Sequence, residues 1–325
     1  GGSGFFRARY SPEMLKALSG SMFEKLTPIE RYGLVDDTWS SVMAGRTSAT
    51  GFLDFARSFQ PETDLDVWTV LSGCLSGLDK LVEGEAKLQY KAAVRDLAQP
   101  ALDRLGWEPS DSNSSRDLEL RGLFIRLLAN VGDDDLALKN AGDLHDSYLV
   151  DAGSVEPNIA AAATGIVASK GDSAQYEVFL DKHHNPSTPQ EERRYQSALS
   201  AFPCEAEIDR TMAMTLDGTI RTQDAPYLLA VCMRNKEQGF RAWEFVKSNW
   251  EQINKDFPAN SIVRMLSGVT ALSKPEQAAD VIAFFDDHKV PQGQLTLQQT
   301  LEKLRVNVAL RERESGRFSE SLTGC

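Results

Sequence analysis

The feature that most limits the possible folds is a long succession of helix-length amphipathic segments separated by short breaks. Apolar residues recur in these segments at the spacing of one helix face, and the breaks carry glycine, proline, asparagine or serine. Helices are predicted near residues 48–59, 64–82, 85–105, 116–131, 134–150, 156–169, 172–184, 188–201, 204–216, 223–234, 237–249, 250–257, 260–272, 275–287 and 294–314.

The clearest helix start lies at Thr27-Pro28-Ile29-Glu30. A hydroxyl at the cap, a proline at the first helical position and a glutamate at the third together satisfy amides that have no partner inside the helix. A helix from there to about Ala44 is predicted, with Gly45 ending it as a C-cap residue. One face of this helix would carry four apolar side chains: Ile29, Leu34, Trp39 and Met43.

The spacing of the helices indicates a repeat. Each predicted helix pair occupies roughly 30 to 45 residues, and consecutive amphipathic helices joined by tight loops are typical of HEAT-like and related α-solenoids. We therefore expect an all-α fold, built as an array of antiparallel helix pairs. A large irregular helical domain remains the alternative, because the sequence similarity between repeats is weak.

The amino terminus differs from the rest of the chain. Aromatic residues and arginines alternate in Phe5-Phe6-Arg7-Ala8-Arg9-Tyr10, and this period of two predicts a short strand. No second strand pattern follows, although a lone strand needs a sheet to join. We expect residues 1–10 to be the last strand of a preceding β-sandwich domain, and residues 11–325 to form the helical-repeat domain.

The charge balance argues against two classes of partner. The chain has 35 basic and 47 acidic residues, a net charge of −12, and such a field repels phosphate backbones and anionic lipid headgroups. No apolar run approaches the ~20 residues that span a bilayer. We expect neither nucleic acid nor membrane among the partners.

Four cysteines are scattered along the chain without C-x-x-C spacing: Cys74, Cys204, Cys232 and Cys325. This pattern indicates neither a disulfide framework nor a structural zinc site. We expect the first three to be buried free thiols. Free thiols are typical of cytoplasmic proteins, so cytoplasmic localisation is expected.

The sequence holds no recognisable hydrolytic motif of its own. It lacks H-E-x-x-H, in which two histidines one helical turn apart bind zinc, and it lacks nucleophile and phosphate-binding motifs. His183 and His184 are adjacent, so their rings would diverge by about 100° on a helix. We expect both at the surface beside Asn185-Pro186, and His145 to be structural. No catalytic residue and no metal ligand is predicted.

Three runs of neighbouring aspartates have structural explanations. Asp133 to Asp135 stand at a predicted helix start, where carboxylates complement the helix dipole. The pairs Asp36-Asp37 and Asp286-Asp287 point in different directions on a helix, which argues against a carboxylate dyad that shares a proton. We expect Asp36 and Asp37 to cap or brace helices.

Several segments resemble one family of enzymes. The stretch from Gly4 to Tyr10 resembles the G-[FY]-[FY]-R-V-x-Y strand that closes the β-sandwich domain of zinc aminopeptidases of the aminopeptidase N type. The stretch from Leu26 to Asp37 resembles their L-[ST]-x-x-[DE]-R-x-x-[LI]-[LIV]-[DN]-D motif. Residues 220–224 and 242–250 are similar to I-R-x-Q-D and A-W-x-F-[VL]-x-x-N-W. In this order the motifs resemble the C-terminal helical domain of these enzymes, including endoplasmic reticulum aminopeptidases.

The resemblance implies a non-catalytic role. In such enzymes zinc is held by H-E-x-x-H in a separate catalytic domain, and neither that motif nor G-x-M-E-N occurs here. The helical domain would cover the active-site chamber and shape peptide access, with the catalytic domain of the same polypeptide and peptide substrates as its partners. Alone it would be inactive, with no cofactor of its own. The alternative is a stand-alone helical-repeat scaffold that binds a protein.

The resemblance also points to candidate side chains. Arg221, Gln223 and Asp224 follow a helix break and are the candidates for facing a substrate cavity. The competing interpretation is an arginine buried against an aspartate that locks neighbouring repeats. Trp243 and Trp250, seven residues apart, would share one helical face if the helix were continuous across the predicted break between 249 and 250. For both, core packing is favoured over ligand stacking.

Overall fold

A computed structural model describes residues 7–110 and 112–324, apart from the side chain of Gln292. This part of the chain is all-α and contains no strand. Its helices are α1 (Pro12–Ser19), α2 (Met22–Lys25), α3 (Pro28–Met43), α4 (Ala49–Arg57), α5 (Leu65–Asp79), α6 (Gly84–Leu105), α7 (Ser115–Asn130), α8 (Asp135–Val150), α9 (Pro157–Lys170), α10 (Ser173–His184), α11 (Pro189–Leu199), α12 (Glu205–Ala213), α13 (Ala225–Cys232), α14 (Gly239–Ser248), α15 (Trp250–Asp256), α16 (Ala259–Met265), α17 (Pro275–Asp287) and α18 (Gln294–Thr323), with 3-10 turns at Leu266–Ala271 and Pro291–Gly293.

Each predicted helix is present, and two differences stand out. The short helices α1 and α2 were not predicted, and α18 continues to Thr323 instead of ending near residue 314. Phe318 is fully buried and its ring meets that of Tyr90 edge-on, with 5.8 Å between centroids. Packing therefore stabilises the last turns of α18 beyond Gly316, a residue of low helix propensity.

The strand expected at the amino terminus falls mostly outside the described residues. Residues 1–6 are not described, and residues 7–10 belong to neither a helix nor a strand. The division at residues 1–10 and 11–325 therefore stays a prediction. The described residues themselves group into two compact units, one running to Ile166 and resuming at Leu310, the other comprising Val167–Ala309. We call these unit 1 and unit 2.

In unit 1, α3 begins and ends as the sequence predicts. The amide of Thr27 donates to the Glu30 carboxylate at 3.0 Å, and Gly45 has a φ of +70°. The predicted apolar face is only partly right, because Ile29 is 66% exposed whereas Leu34 is buried. Ile29 lies about 200° around the helix from Arg31, which belongs to the buried face.

A buried ion pair joins α3 to the loop before α5. The Arg31 guanidinium donates to both Glu62 carboxylate oxygens, at 2.6 and 2.9 Å. Glu62 also accepts from the amides of Thr63 and Asp64, and its carbonyl accepts from the Trp68 indole at 2.9 Å. Because its hydrogen-bonding capacity is filled, this carboxylate tolerates near-complete burial.

The C-terminal half of α18 packs within unit 1 against residues from early in the chain. Glu314 accepts a hydrogen bond from the amide of Ala49 at 2.8 Å, and so supplies a cap to the first turn of α4. Arg313 donates to the carbonyl of Val42 in the last turn of α3, also at 2.8 Å. These contacts join residues more than 260 positions apart.

Unit 2 is a helical repeat with two rows of helices. Row A contains α10, α12, α14 and α17, and row B contains α11, α13, residues 259–271 and the start of α18. Neighbours in row A are linked by charged pairs 32 or 33 residues apart: Arg210 with Glu177, Arg241 with Asp209 at 2.7 Å, and Lys247 with Asp280 at 2.7 Å.

Row B repeats at nearly the same spacing through polar side chains. Asn235 donates to the carbonyl of Ser200, Arg234 to the hydroxyl of Ser267, and Asn307 to the carbonyl of Thr270, over separations of 35, 33 and 37 residues. The residue separations in both rows lie within the roughly 30 to 45 residues per helix pair that the helix pattern predicts. Each repeat thus contacts its neighbours through equivalent positions, as in α-solenoid arrays.

The two tryptophans of unit 2 lie in its core, as predicted. Trp243 is fully buried and meets Phe284 edge-on at 5.2 Å, and Trp250 meets the same ring at 5.4 Å. The two rings do not lie on one continuous helix, because α14 ends at Ser248 and α15 begins at Trp250, in line with the separate segments predicted at 237–249 and 250–257. A break at Asn249 turns the second ring toward the shared phenylalanine.

Candidate functional site

The candidate residues follow a tight turn between α12 and α13. Gly218 adopts a φ of +92°, and the Asp217 carboxylate accepts from the amide of Thr219 at 2.8 Å. That backbone hydrogen bond lowers the pKa of Asp217. Ile220 is buried, and its amide donates to the carbonyl of Met214 at 2.9 Å. The turn is therefore anchored directly before Arg221.

Arg221 is exposed and reaches back to α11. Its Nη2 atom lies 3.2 Å from Glu192 Oε1, and its carbonyl accepts from the amides of Asp224 and Ala225. No ion pair links its guanidinium to Asp224 among the described residues. The alternative of an arginine buried against an aspartate is therefore wrong, since the partner is a glutamate one helix earlier and the pair is solvated.

Gln223 and Asp224 complete the turn. Gln223 is exposed, and Asp224 is half-buried at the N-cap position of α13 without a side-chain cap hydrogen bond. One turn into the helix, Tyr227 is 45% exposed. Sequence patterns gave no reason to select Tyr227 or Glu192, because an isolated tyrosine and a first-turn glutamate are ordinary helix residues. Whether these side chains face substrate stays a prediction.

The burial of one histidine, His183, differs from the prediction. His184 is exposed, but His183 is buried, so the expectation that both lie at the surface is wrong for His183. Its position on the inner side of α10 explains the burial, which lowers its pKa. His145 is buried as well. Within residues 7–110 and 112–324, no three His, Cys, Asp or Glu side chains are grouped to hold a metal ion.

Two of the three aspartate runs have structural contacts of the kind expected. Asp134 caps α8 by accepting from the amide of Ala137 at 2.9 Å, while Asp133 pairs with Lys91 at 2.6 Å. Asp36 pairs with Arg7, which braces the segment before α1 against α3.

The cysteines divide into two classes. Cys74 and Cys232 are buried, and burial raises the pKa of Cys232 to about 12. Cys204 is exposed because it precedes the first turn of α12, so the prediction that it is buried is wrong. Cys325 lies outside the described residues.

Among the described helices, none is long and apolar enough to cross a membrane.

Comparison with known proteins assigns the chain to a family. The ERAP1-like C-terminal domain profile matches residues 1–306. Aminopeptidase M1 of Arabidopsis thaliana is 28% identical over 320 residues, which cover 94% of this chain and 36% of the relative. Alanine/arginine aminopeptidase of Saccharomyces cerevisiae is 27% identical over 313 residues, covering 93% of this chain and 36% of the relative.

A human relative has a similar match. Endoplasmic reticulum aminopeptidase 2 of Homo sapiens is 26% identical over 294 residues, 87% of this chain and 30% of that protein. The chain thus spans about a third of the length of the curated relatives it matches. Since the family profile covers nearly all of it, the chain belongs to the ERAP1-like C-terminal domain family.

Proposed function

We propose that this chain is the non-catalytic C-terminal domain of a zinc-dependent aminopeptidase, where it covers the active-site chamber and shapes peptide access. The observation that carries the proposal is the family match over residues 1–306, combined with relatives that are named aminopeptidases and are about three times as long. Zinc and the residues that activate water would belong to the catalytic domain of the same polypeptide.

The predicted candidates Arg221, Gln223 and Asp224 are assigned to the substrate-facing surface, and we add Tyr227 to them. The three most exposed side chains of this set are Arg221, Gln223 and Tyr227. Arg221 and Gln223 lie in the exposed turn before α13, and Tyr227 lies in the first turn of that helix. Together they offer a guanidinium, an amide and an aromatic ring to a bound peptide. Because the ion pair of Arg221 with Glu192 is solvated, exchanging Glu192 for a peptide carboxylate costs little.

The test compares long and short substrates in the full-length enzyme. Arg221→Ala and Tyr227→Ala should lower kcat/KM for a ten-residue peptide about three- to tenfold, and leave an aminoacyl amide within about twofold, because only the peptide reaches beyond the catalytic domain. Lys255→Ala, an exposed lysine of α15, is the matched control.

Two results would count against the proposal. Equal losses on both substrates would indicate a structural effect rather than peptide contact. A full-length polypeptide without aminopeptidase activity would favour the scaffold alternative. For the isolated chain, one tightly bound zinc ion after chelator dialysis would contradict the placement of the metal in another domain.

A further inference from the structure

Unit 1 contains a cavity of about 510 Å³ between the segment 9–19 and residues 46–58. Its volume lies within the range of small-molecule sites, about 300–1,000 Å³. One wall is α1 with the residues before it, and the other is α4 with its preceding loop. We call it the α1–α4 cavity.

The charge of this cavity opposes that of the chain. Arg9, Lys16 and Arg46 line it, and no described carboxylate forms an ion pair with any of the three. Asp54, the acid on the wall, pairs instead with Arg57 at 3.1 Å. In a chain of net charge −12, three cations without acidic partners around one opening create a local positive field that attracts anions.

Part of the cavity lining is apolar. Leu15 and Phe55 contribute to it, and Phe55 is held by edge-on contacts with Phe52 and Phe59, whose centroids lie 6.0 and 5.1 Å away. Tyr10 adds a third hydrocarbon surface. A ligand that fills this space would therefore combine a hydrocarbon body with a negative group.

Helix α1 forms one wall of this cavity. It is amphipathic, yet none of its eight residues is buried within this chain. A helix of this pattern normally places its apolar stripe against other groups. A molecule in the α1–α4 cavity would cover Leu15 of this helix.

We propose that the α1–α4 cavity binds a small organic carboxylate with an aromatic or aliphatic body. The carboxylate is bound by Arg46, Lys16 and Arg9, and the body lies on Leu15 and Phe55. Guanidinium groups form charge-assisted hydrogen bonds with carboxylates, and burial of the body adds hydrophobic free energy. This site does not depend on the peptidase function proposed above.

The test is calorimetric titration of the whole chain with 4-phenylbutyrate, alongside the neutral 4-phenylbutanamide. The carboxylate should bind at least about tenfold more tightly than the amide, since only it uses the cations. Arg46→Gln and Lys16→Gln should each raise the Kd about fivefold. Lys25→Gln, which removes the same charge from exposed α2 outside the cavity, should leave the Kd unchanged.

A structural readout accompanies the affinities. Bound 4-phenylbutyrate should slow amide hydrogen exchange in residues 12–19, because it covers α1. Equal binding of the amide, equal loss in Lys25→Gln, or unchanged exchange in α1 would each overturn the proposal. Tenfold tighter binding of 2-phenylethyl phosphate would overturn the carboxylate assignment.

Discussion

Trp243 and Asp280 are joined by a 2.6 Å hydrogen bond from the indole nitrogen to Oδ2, the same oxygen that Lys247 reaches at 2.7 Å. Burial alone would raise the pKa of Asp280, but the hydrogen bonds from Lys247 and Trp243 outweigh it and lower the pKa. The Asp280 carboxylate thus links α17 to α14 by two interactions, an ion pair with Lys247 and a hydrogen bond from the buried Trp243 indole.

Replacing the Asp280 carboxylate should weaken the packing between α14 and α17 in row A. Asp280→Ala is expected to destabilise unit 2 by about 1 kcal/mol, a modest value because the side chain is partly exposed. The freed indole should also shift the tryptophan fluorescence maximum. Urea unfolding followed by fluorescence measures both effects, and Asp287→Ala on the exposed side of α17 is the control. An equal loss in the control would contradict the linking role.

The contact of Glu314 with Ala49 makes the last helix a cap for an early one. Glu314→Ala should cost about 1–2 kcal/mol of unfolding free energy, because the amide of Ala49 then loses its acceptor inside the protein. Glu314→Gln should cost less, since it keeps a carbonyl oxygen. Chemical denaturation of these variants, with exposed Glu312→Ala for comparison, checks the order. A glutamine variant as unstable as the alanine variant would argue against capping.

Acid should destabilise unit 1 through Glu62. Burial raises the pKa of this carboxyl, but hydrogen bonds from Arg31 and two amides outweigh burial and leave the pKa lowered. Its stabilising contribution is therefore complete above the unfolded value, ~4.3, and is lost as pH falls through the folded pKa. As the pH is lowered from 7 to 3, the urea concentration at the unfolding midpoint should fall more steeply for the parent protein than for Glu62→Gln.

The same variant tests the buried ion pair at neutral pH. Glu62→Gln leaves the Arg31 charge without its counter-ion and should cost about 3 kcal/mol. Exposed Glu119→Gln should change neither the neutral stability nor the acid slope by a comparable amount.

His183 predicts a second pH dependence, in unit 2. Burial lowers its pKa, so the unfolded chain binds the proton more readily than the folded chain does. The stability of unit 2 should therefore fall as pH drops below about 6.5. Hydrogen exchange in residues 167–309 at pH 7.5 and 5.5 measures this. His183→Gln should flatten the dependence, whereas exposed His184→Gln should not.

Thiol chemistry distinguishes the cysteines. In a Cys325→Ser variant three cysteines remain, and of these only Cys204 is exposed. A thiol reagent should therefore modify a single thiol, that of Cys204, rapidly in the folded protein. Cys74 and Cys232 should react only on unfolding, since burial raises the pKa of both thiols and blocks access. Loss of the rapid phase in Cys204→Ser confirms the assignment, and its persistence would refute it.

Helix positions were predictable because their signals are local. The capping residues Thr27 and Glu30 lie three positions apart and Gly45 follows the helix end directly, so a short window contains the evidence. Burial was less predictable. Ile29 and Cys204 are apolar residues near helix starts, where one or two positions decide whether a side chain faces the core or solvent.

The candidate site shows the same limit. A motif resemblance selected Arg221, but its partner Glu192 lies 29 residues earlier, and no periodicity connects the two. Contacts across a repeat depend on which helices become neighbours. Likewise, the cations Arg9, Lys16 and Arg46 share a cavity only after α1 has packed beside α4.

The packing of α18 into unit 1 has a consequence for biosynthesis. Residues 42–90 leave the ribosome long before Arg313, Glu314 and Phe318, which complete their surroundings. Domains usually fold as they emerge, amino-terminal first. Here the early helices cannot complete their packing until more than 200 further residues have been translated, at about 5–20 residues per second. During those tens of seconds their apolar surface is a natural substrate for chaperones, and a premature stop near residue 309 would leave it exposed permanently.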